Sequence, residues 1–418
     1  MNTLVITIEG LATGLIGAYG ASQATTPTID RIAAYGIVLD QCFVDSQEPM
    51  RQLESLWTGR HALQQRSAWS LWRFLKNQPA SGQATLITDC PDVALLAEQL
   101  GCSNVTLVPV LINSAACGEP DECAVLGLFA AAADLMSQQL TGLVWVHSRG
   151  LRWPWDAPIE MRLRCIDPDD PEPPSSAELP AIKVDQDTDP DLIVGWGQVA
   201  TAQAAVVDHA LELLLAARSS SAEPEPWSTV LIGLGGVPLG EHGHVGWQEP
   251  QLYGEELACV AIVQPGYGLP VGYRLSELCQ LPDLTPSILD CMLGAGWQAQ
   301  KATADESMWG RSILQLQTTL QATIPNHHRL AVVKPPATQG MQRWVRSPAW
   351  SILSDDRRSQ TRLFVKPDDR WEVSDVASRR HDIVQLLEQV ADGFECAIAA
   401  NSRESIPPID DELWQLIR

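Results

Sequence analysis

The sequence predicts an α/β fold in which a large central sheet is covered by helices on both faces. Strand-length runs rich in Val, Leu and Ile alternate with longer amphipathic stretches through the first 290 residues, which is typical of a parallel sheet buried on both sides. After Gly296, short strand candidates are separated by turns rich in Pro, Asp and Ser. We therefore predict an N-terminal α/β domain over 1–296, and a small C-terminal subdomain with a short antiparallel sheet and a helix over 297–418.

The individual elements follow from the same patterns. In the first domain the predicted strands are Leu4–Ile8, Ala84–Thr88, Val105–Val110, Leu143–His147 and Thr229–Gly233. The predicted helices there are Thr26–Tyr35, Pro91–Leu100, Ala124–Gln139 and Val194–Ala217. The stretch Ile166–Asp191 is dense in Asp, Glu and Pro and is predicted to be a solvated surface loop. In the C-terminal subdomain we predict strands at Leu330–Val333, Met341–Val345, Trp350–Ser354 and Arg362–Val365, and a helix over Ser378–Ala391.

Composition excludes several classes of partner. The chain carries 51 acidic and 28 basic residues, for a formal net charge of −23. Such a surface repels nucleic-acid phosphates and anionic lipid headgroups, so we expect no nucleic-acid partner. No continuous apolar run reaches the length of about 20 residues that a membrane span needs, and we expect no membrane association. The start of the sequence has no features of a signal peptide, and the ten cysteines follow no zinc-finger spacing. A cytoplasmic location with reduced thiols is the expectation.

Several segments, in order along the chain, resemble one known family. Near the N-terminus these are Ile8-Glu9-Gly10-Leu11, Leu15-Ile16-Gly17-Ala18-Tyr19-Gly20 and Thr26-Pro27-Thr28-Ile29-Asp30-Arg31. Further along stand Leu56-Trp57-Thr58-Gly59-Arg60 and Leu239-Gly240-Glu241-His242-Gly243. Together they resemble the sulfatase family of the alkaline-phosphatase superfamily. The resemblance implies a sulfatase-like fold and an ancestral activity of sulfuric ester hydrolysis. In that family a formylglycine made from Cys or Ser attacks sulfur, and a divalent cation, usually Ca²⁺, neutralises the sulfate oxygens.

The segment that resembles the nucleophile motif, Ser46-Gln47-Glu48-Pro49-Met50-Arg51, departs from the family. The resemblance aligns Arg51 with the family's arginine and Gln47 with the formylglycine precursor. An amide is neither a nucleophile nor a precursor of formylglycine. The sequence therefore predicts that this nucleophile is missing.

The positions that match the family's metal ligands are also changed. The first pair of ligands falls at Glu9 and Gly10, and the later pair falls at Leu234 and Gly235. Only Glu9 keeps a carboxylate, and Ca²⁺ requires about six to eight oxygen ligands. We therefore expect neither Ca²⁺ nor formylglycine as a cofactor, with Glu9 as a residual weak metal ligand.

The remaining family positions suggest binding rather than hydrolysis. The resemblance aligns Arg152 with a family histidine, Trp247 with a family lysine, and both His147 and His242 with histidine positions. Guanidinium groups suit sulfate and phosphate, so Arg51 and Arg152 are candidate anion-binding residues.

The sequence leads to a primary functional hypothesis with two alternatives. The first is a pseudo-sulfatase that lacks catalysis and binds a small anion (sulfate or phosphate) or an unknown protein partner, or has a structural role. The second is an active hydrolase of sulfate or phosphate esters with a rebuilt site that uses Glu9, Ser46, Arg51 and a histidine. The third is an interaction module whose exposed patch uses aromatic side chains, with candidates at Trp153, Trp155 and Trp247.

Overall fold

The computed structural model describes residues 1–23, 25–78, 83–138, 140–218, 226–247, 251–266, 272–294, 297, 308–318, 330–334, 342–355 and 360–414. The chain forms two compact units, each described by itself below. The first comprises Met1–Val38, Leu75–Pro250 and Cys259–Arg274. The second comprises Leu39–Phe74, Gln251–Ala258 and Leu275–Arg418. Gln139 and Met341, at the ends of a predicted helix and a predicted strand, lie outside the described residues.

The strands agree with the predicted pattern of short apolar segments. They are β1 (Asn2–Glu9), β2 (Ile37–Phe43), β3 (Gln83–Thr88), β4 (Asn104–Leu107), β5 (Gly142–Ser148), β6 (Ala181–Lys183), β7 (Trp227–Leu234), β8 (His244–Gly246), β9 (Ala261–Gln264), β10 (Tyr273–Gln280), β11 (Ala331–Val333), β12 (Gln342–Arg346), β13 (Trp350–Asp355) and β14 (Thr361–Val365). Among the described residues, eight strands form the large sheet in the order β10-β2-β9-β7-β1-β5-β3-β4, and four form a second sheet in the order β11-β12-β13-β14. The predicted α/β fold class is thereby confirmed.

The helices flank these strands in the sequence. They are α1 (Pro27–Ala34), α2 (Pro49–Thr58), α3 (Leu71–Lys76), α4 (Pro91–Gln99), α5 (Ala124–Ser137), α6 (Ile159–Leu163), α7 (Pro190–Ala217), α8 (Gly254–Leu257), α9 (Leu284–Leu293), α10 (Ile313–Thr318), α11 (His381–Ala399) and α12 (Asp411–Trp414). Several begin with Pro in the first turn, where the missing N–H costs no hydrogen bond.

Strand β1 is the centre of the first unit. It pairs in parallel with β5 on one side and with β7 on the other, and all eight of its residues are buried. β3 pairs in parallel with β5, and β4 continues the parallel arrangement. Strand β9 is antiparallel to β7. Because β7, β1, β5, β3 and β4 run in one direction, their carboxyl ends lie along one edge of the sheet.

The core of the first unit packs around α7. Val199, Val206, Leu211 and Leu214 of this helix are fully buried in one hydrophobic cluster with side chains from β1, β5 and α5. Helix α7 is long and apolar enough to cross a membrane by length and composition, but 72% of its most apolar window is buried inside the protein. That burial is what the central helix of a globular fold shows, so the criterion is weak evidence for a membrane span.

The second unit contains the predicted C-terminal sheet and helix. Strands β11 to β14 pair antiparallel in sequence order. Helix α11 buries Ile383, Leu387, Ala391 and Phe394 in a cluster that includes Val345 and other side chains of the sheet. The helix ends eight residues later than predicted, because Ala397 and Ile398 continue the buried face.

The second unit is larger than the predicted subdomain at 297–418, since it also includes Leu39–Phe74, Gln251–Ala258 and the chain from Leu275 onward. Buried hydrogen bonds hold these pieces together. The Thr285 hydroxyl donates to Leu56 O (2.7 Å), and Gln280 Nε2 donates to Val332 O (3.2 Å). A boundary at 296/297 therefore does not coincide with the division between the two compact units.

One long-range contact fixes the start of α1 in the first unit. The carboxylate of Asp208, in α7, accepts hydrogen bonds from the backbone N–H groups of Thr28 (3.0 Å) and Ile29 (2.8 Å). These are first-turn groups, which have no partner within the helix, and a negative charge there is favoured by the helix dipole. Burial raises the pKa of Asp208, and the hydrogen bonds from Ile29 and Thr28 oppose that rise.

We predict that Asp208→Ala lowers the free energy of unfolding by about 1–3 kcal/mol, because two buried N–H groups lose their acceptor. Urea denaturation followed by circular dichroism measures the change. Glu212→Ala is the matched control, since Glu212 lies one turn later in α7 and its side chain is 57% exposed. Equal stabilities of the two variants would contradict this role of Asp208.

Candidate functional site

The carboxyl edge of the parallel strands gathers several polar side chains in the first unit. Glu9 ends β1 and is in register with Leu234 of β7. His147, near the end of β5, is in register with Thr7 of β1 and Thr88 of β3. Ligands of open α/β sheets bind outside the carboxyl ends of the strands, so this edge is the candidate site.

Glu9 is the centre of this group. Its side chain is buried, and its Oε1 lies 3.3 Å from His147 Nε2. Its Oε2 lies 3.7 Å from Nε of Arg152. The Arg152 guanidinium in turn stacks over the ring of Trp247, 3.4 Å from the centroid. Four of the residues predicted from the sequence (Glu9, His147, Arg152 and Trp247) are thus brought together by the fold.

His147 is oriented by a chain of buried hydrogen bonds. Trp145 Nε1 donates to Thr7 Oγ1 (2.9 Å), and Thr7 Oγ1 lies 3.0 Å from His147 Nδ1. If the Thr7 hydroxyl donates to Nδ1, the Nε2 atom carries the proton and faces Glu9. The contact from Nε2 to Glu9 is within ion-pair range, but its angle does not satisfy a hydrogen bond.

A second pair of charges at this edge was missed by the sequence analysis. Asp89 directly follows β3, whose last residue Thr88 is in register with His147, and Asp89 Oδ2 lies 3.7 Å from Arg149 Nε. Burial raises the pKa of the Asp89 carboxyl, while the charges of His147 and Arg149 oppose that rise. The available signal was positional: Asp89 comes immediately after the predicted strand Ala84–Thr88, where a parallel sheet places its functional groups.

The other three positions that the resemblance aligns with metal ligands are Gly10, Leu234 and Gly235. Their side chains contain no oxygen, so they could offer only backbone atoms. Gly10 and Gly235 have positive φ angles of 73° and 68°, and Gly10 N donates to Leu234 O (3.3 Å). A Cβ added at Gly10 would meet Val237 Cγ2 at 3.0 Å and the backbone carbon of Leu151 at 3.2 Å. An aspartate at position 10 would therefore be strained in this backbone, and these positions do not fit the oxygen-rich ligand set of Ca²⁺.

His242 is placed in a tight turn. Its φ and ψ of 48° and 27° are left-handed, and it is flanked by Gly240 and Gly243, which also have positive φ angles. The Glu241 side chain accepts a hydrogen bond from Leu239 N (2.6 Å) and fixes the same turn. The Gly-Glu-His-Gly motif has a clear conformational role here.

In the second unit, the predicted nucleophile segment forms the entry to α2. Gln47 is buried and its Nε2 donates to Gln251 O (2.8 Å). Ser46 Oγ accepts from Glu48 N (3.2 Å). Arg51 lies in α2, with its guanidinium 3.9 Å from Glu48 and 3.7 Å from Glu54, and its side chain is 42% exposed. Arg51 and Arg152 belong to different units.

Two buried titratable groups flank this segment in the second unit. Asp45 is fully buried, and burial raises its pKa to about 7, although its Oδ2 accepts from Ala62 N (2.8 Å). His61 is also buried, and burial lowers its pKa to about 4. His61 Nδ1 accepts from Leu63 N (3.2 Å), so Nε2 donates to Gln280 Oε1 (3.3 Å) in the neutral form.

These two groups give stability opposite dependences on pH. Between about pH 4 and 7 the folded chain keeps a proton on Asp45 that the unfolded chain releases, so Asp45 makes stability fall as pH rises. Between about pH 6.5 and 4, His61 binds a proton in the unfolded chain but stays neutral when buried in the folded chain. His61 therefore makes the free energy of unfolding fall as pH falls. The two slopes oppose each other below about pH 6.5.

We predict that Asp45→Asn removes the loss of stability toward neutral pH. The free energy of unfolding of the variant relative to wild type should grow between pH 4 and 7, up to about 4 kcal/mol at 1.4 kcal/mol per pKa unit. Urea denaturation at half-unit pH steps measures it. Asp410→Asn, at an exposed position in the same unit, is the control. Parallel pH curves for wild type and Asp45→Asn would show that Asp45 does not titrate in this range.

Comparisons with known proteins show the fold. No protein-family model matches the sequence, and no curated protein does. Among solved structures, the chain is similar to a phosphonate monoester hydrolase of Agrobacterium radiobacter (12% identity, 96% of each chain covered, TM-score 0.73). It is also similar to BT1596, a 2-O GAG sulfatase (15% identity, 99% of this chain and 95% of that chain, TM-score 0.72). A third is BT4656, solved with its substrate D-glucosamine-2-N,6-O-disulfate (13% identity, 95% and 98%, TM-score 0.72). The sulfatase-like fold predicted from the sequence is confirmed.

Proposed function

We propose that this chain, which has the fold of sulfatases and of a phosphonate monoester hydrolase, does not hydrolyse esters and instead binds a small oxyanion. The observation that supports this best is the environment of Glu9. It has the only side-chain carboxylate among the four family metal positions, and its two oxygens face His147 and Arg152. An arginine of the chain itself therefore supplies the positive charge beside this carboxylate.

The charge balance supports the absence of a hard divalent cation. Such an ion needs several carboxylates to offset the cost of its dehydration. At this edge Glu9 and Asp89 are already balanced by Arg152 and Arg149. Adding a divalent cation would place like charges next to two guanidinium groups, which is unfavourable in a buried site.

The nucleophile positions support the same proposal. The amide of Gln47, at the formylglycine position, donates to a backbone carbonyl, and an amide cannot attack sulfur or phosphorus. The hydroxyl of Ser46 accepts a hydrogen bond at the entry to α2. Each side chain has a structural partner in its own unit.

An anion-binding role is supported by the two guanidinium groups and the imidazole nitrogen at this edge. Arg149 lies beside Asp89 after β3, and Arg152 and the Nε2 atom of His147 lie beside Glu9 at the end of β1. Guanidinium groups bind sulfate and phosphate through charge-assisted hydrogen bonds. Glu9 competes with an incoming anion for Arg152, so we propose weak binding that is controlled by this carboxylate.

We predict that the purified protein, with Ca²⁺, Mg²⁺ or Mn²⁺ added, releases no 4-nitrophenol from its sulfate, phosphate or phenylphosphonate esters above the buffer rate. Absorbance over several hours measures this. Glu9→Ala and His147→Ala variants, purified identically, identify contaminants, because a contaminating activity is equal in all preparations. Hydrolysis that needs added metal and disappears in the Glu9→Ala variant would refute the proposal and favour the rebuilt hydrolase.

We predict that Glu9→Gln increases the affinity for sulfate or phosphate by about tenfold, since repulsion between two unit charges about 4 Å apart is about 1–4 kcal/mol and about 1.4 kcal/mol corresponds to a tenfold change. Isothermal titration with sodium sulfate, against sodium chloride at equal ionic strength, measures it. Glu212→Gln, in the first unit with a side chain that is 57% exposed, is the control. Arg152→Ala in the Glu9→Gln background should abolish the gain. Equal sulfate affinity in wild type and Glu9→Gln would refute binding at Arg152.

A further inference from the structure

A second cluster of chemically reactive side chains lies away from the Glu9 group in the first unit. The Sγ atoms of Cys117 and Cys123 and a carboxylate oxygen of Asp156 all lie within 4.8 Å of one another. Among the described residues, these three are the His, Cys, Asp or Glu side chains whose ligand atoms lie close enough together to hold a metal ion. All three residues are buried, and Asp156 is completely so.

We infer that Cys117, Cys123 and Asp156 form a structural site for Zn²⁺ or another thiophilic divalent cation. Two thiolates and a carboxylate are ligands that zinc accepts, and because the three atoms all lie within 4.8 Å of one another, small side-chain rotations would bring each to its bond length of about 2.0–2.3 Å from a central ion. Three protein ligands leave the fourth position to a water molecule. The thiolates favour zinc over Ca²⁺ or Mg²⁺, which prefer oxygen ligands.

The surroundings of the three side chains are those of a supported metal site. Asn113 Nδ2 lies 3.1 Å from Cys117 Sγ and 3.0 Å from Asp156 Oδ2, so it contacts two of the three ligands. Asp156 Oδ2 also accepts from Ala124 N (2.8 Å), and Gln203 Nε2 lies 3.4 Å from Asp156 Oδ1. Such outer contacts orient ligands and are typical of metal sites. Asp156 keeps oxygen lone pairs available beyond these contacts, because a carboxylate has about four.

The charges around the cluster allow a divalent ion. Arg162 is completely buried, and its guanidinium donates to the backbone carbonyls of Trp155 (2.6 Å), Ala157 (2.8 Å) and Ser176 (2.9 Å). The nearby Asp156 balances this positive charge. Exchange of two thiol protons for one divalent cation conserves the net charge, so a zinc dithiolate adds no uncompensated buried charge.

The position of Cys123 offsets part of the cost of forming a buried thiolate. Cys123 is the residue that precedes α5, a helix of 14 residues, and the positive end of a helix dipole stabilises negative charge there. Without a metal, burial raises the pKa of Cys117 to about 11, and burial raises the pKa of Cys123 further. Both therefore stay protonated near neutral pH until a metal displaces their protons.

The site would stabilise a region that contains little regular structure. Cys117 and Cys123 are the first and last residues of a seven-residue stretch before α5, whereas Asp156 lies in the segment that follows β5. Backbone contacts already join these parts, since Cys117 N donates to Asp156 O (2.9 Å). A metal ion would fasten the loop, the start of α5 and this segment at one point.

Cobalt substitution tests the site directly. The full-length protein is stripped with a chelator under reducing conditions and then titrated with Co²⁺ alone. We expect one equivalent per chain to produce thiolate-to-cobalt charge-transfer bands and tetrahedral d–d bands, which Zn²⁺ then removes by displacement. Cys117→Ser and Cys123→Ser should each weaken Co²⁺ binding by more than about 100-fold, since even changes at outer contacts cost about 10- to 100-fold.

Matched controls separate the ligands from the other eight cysteines of this chain. Cys102→Ser, a buried cysteine of the first unit outside the cluster, should leave the cobalt spectrum unchanged. Asp156→Asn should retain charge-transfer bands and bind more weakly. If the serine variants do not fold, the wild-type protein still decides: at a urea concentration that transiently exposes buried thiols, Zn²⁺ should slow alkylation of Cys117 and Cys123 but not of Cys102, as read by peptide mass spectrometry.

Three outcomes would overturn the inference. The first is a reduced protein that shows no charge-transfer band at one equivalent of Co²⁺. The second is a band that persists in both serine variants. The third is a Cys117–Cys123 disulfide in the isolated protein together with no metal binding after reduction, which would make the pair a disulfide and not a metal site. None of these outcomes bears on ester hydrolysis or sulfate binding at the Glu9 group.

Discussion

The position of β1 between β5 and β7 is the constraint on which the rest of the first unit depends. All eight residues of the strand are buried, so its register is fixed on both sides by packing as well as by hydrogen bonds. That register places Glu9 beside Leu234 and Thr7 beside His147. A slip of one residue would turn Glu9 to the other face of the sheet, and the contacts with His147 and Arg152 would be lost. The candidate site is therefore a consequence of strand pairing.

Much of the fold could be predicted from the sequence, because the spacing of apolar residues and the local composition reflect which residues are buried. The apolar run Leu4–Ile8 indicated β1, and the structure extends it by polar residues at both ends, where Asn2 and Glu9 find partners. The predicted strand Val105–Val110 ends at Leu107 instead, since Pro109 follows and cannot donate to a ladder. The interleaving of chain segments in the second unit could not be predicted, because hydrogen bonds such as Thr285 to Leu56 leave no local pattern.

The candidate site was predictable where a motif marked it. Glu9 and His147 stand at strand ends that the motifs identify, and the structure joins them to Arg152 and Trp247. Asp89 and Arg149 were missed because no motif contains them. The cluster at Asp156 also had no sequence signal: Cys117 and Cys123 are separated by five residues, and their third partner lies 33 positions further on. Only a folded chain shows such proximities.

The proposed exchange of a metal for an arginine accounts for the changes at several positions together. A divalent ion and its carboxylates balance as a group, so loss of the ion alone would leave several buried negative charges unpaired, each costing several kcal/mol. One guanidinium carries one positive charge and can balance one carboxylate, which is the ratio found at Arg152 and Glu9. The glycines at positions 10 and 235 and the leucine at 234 then add no further charge to be neutralised. A site balanced in this way has no excess positive charge to offer a developing negative charge in a transition state, which is the electrostatic argument for the proposed weak anion binding without ester hydrolysis.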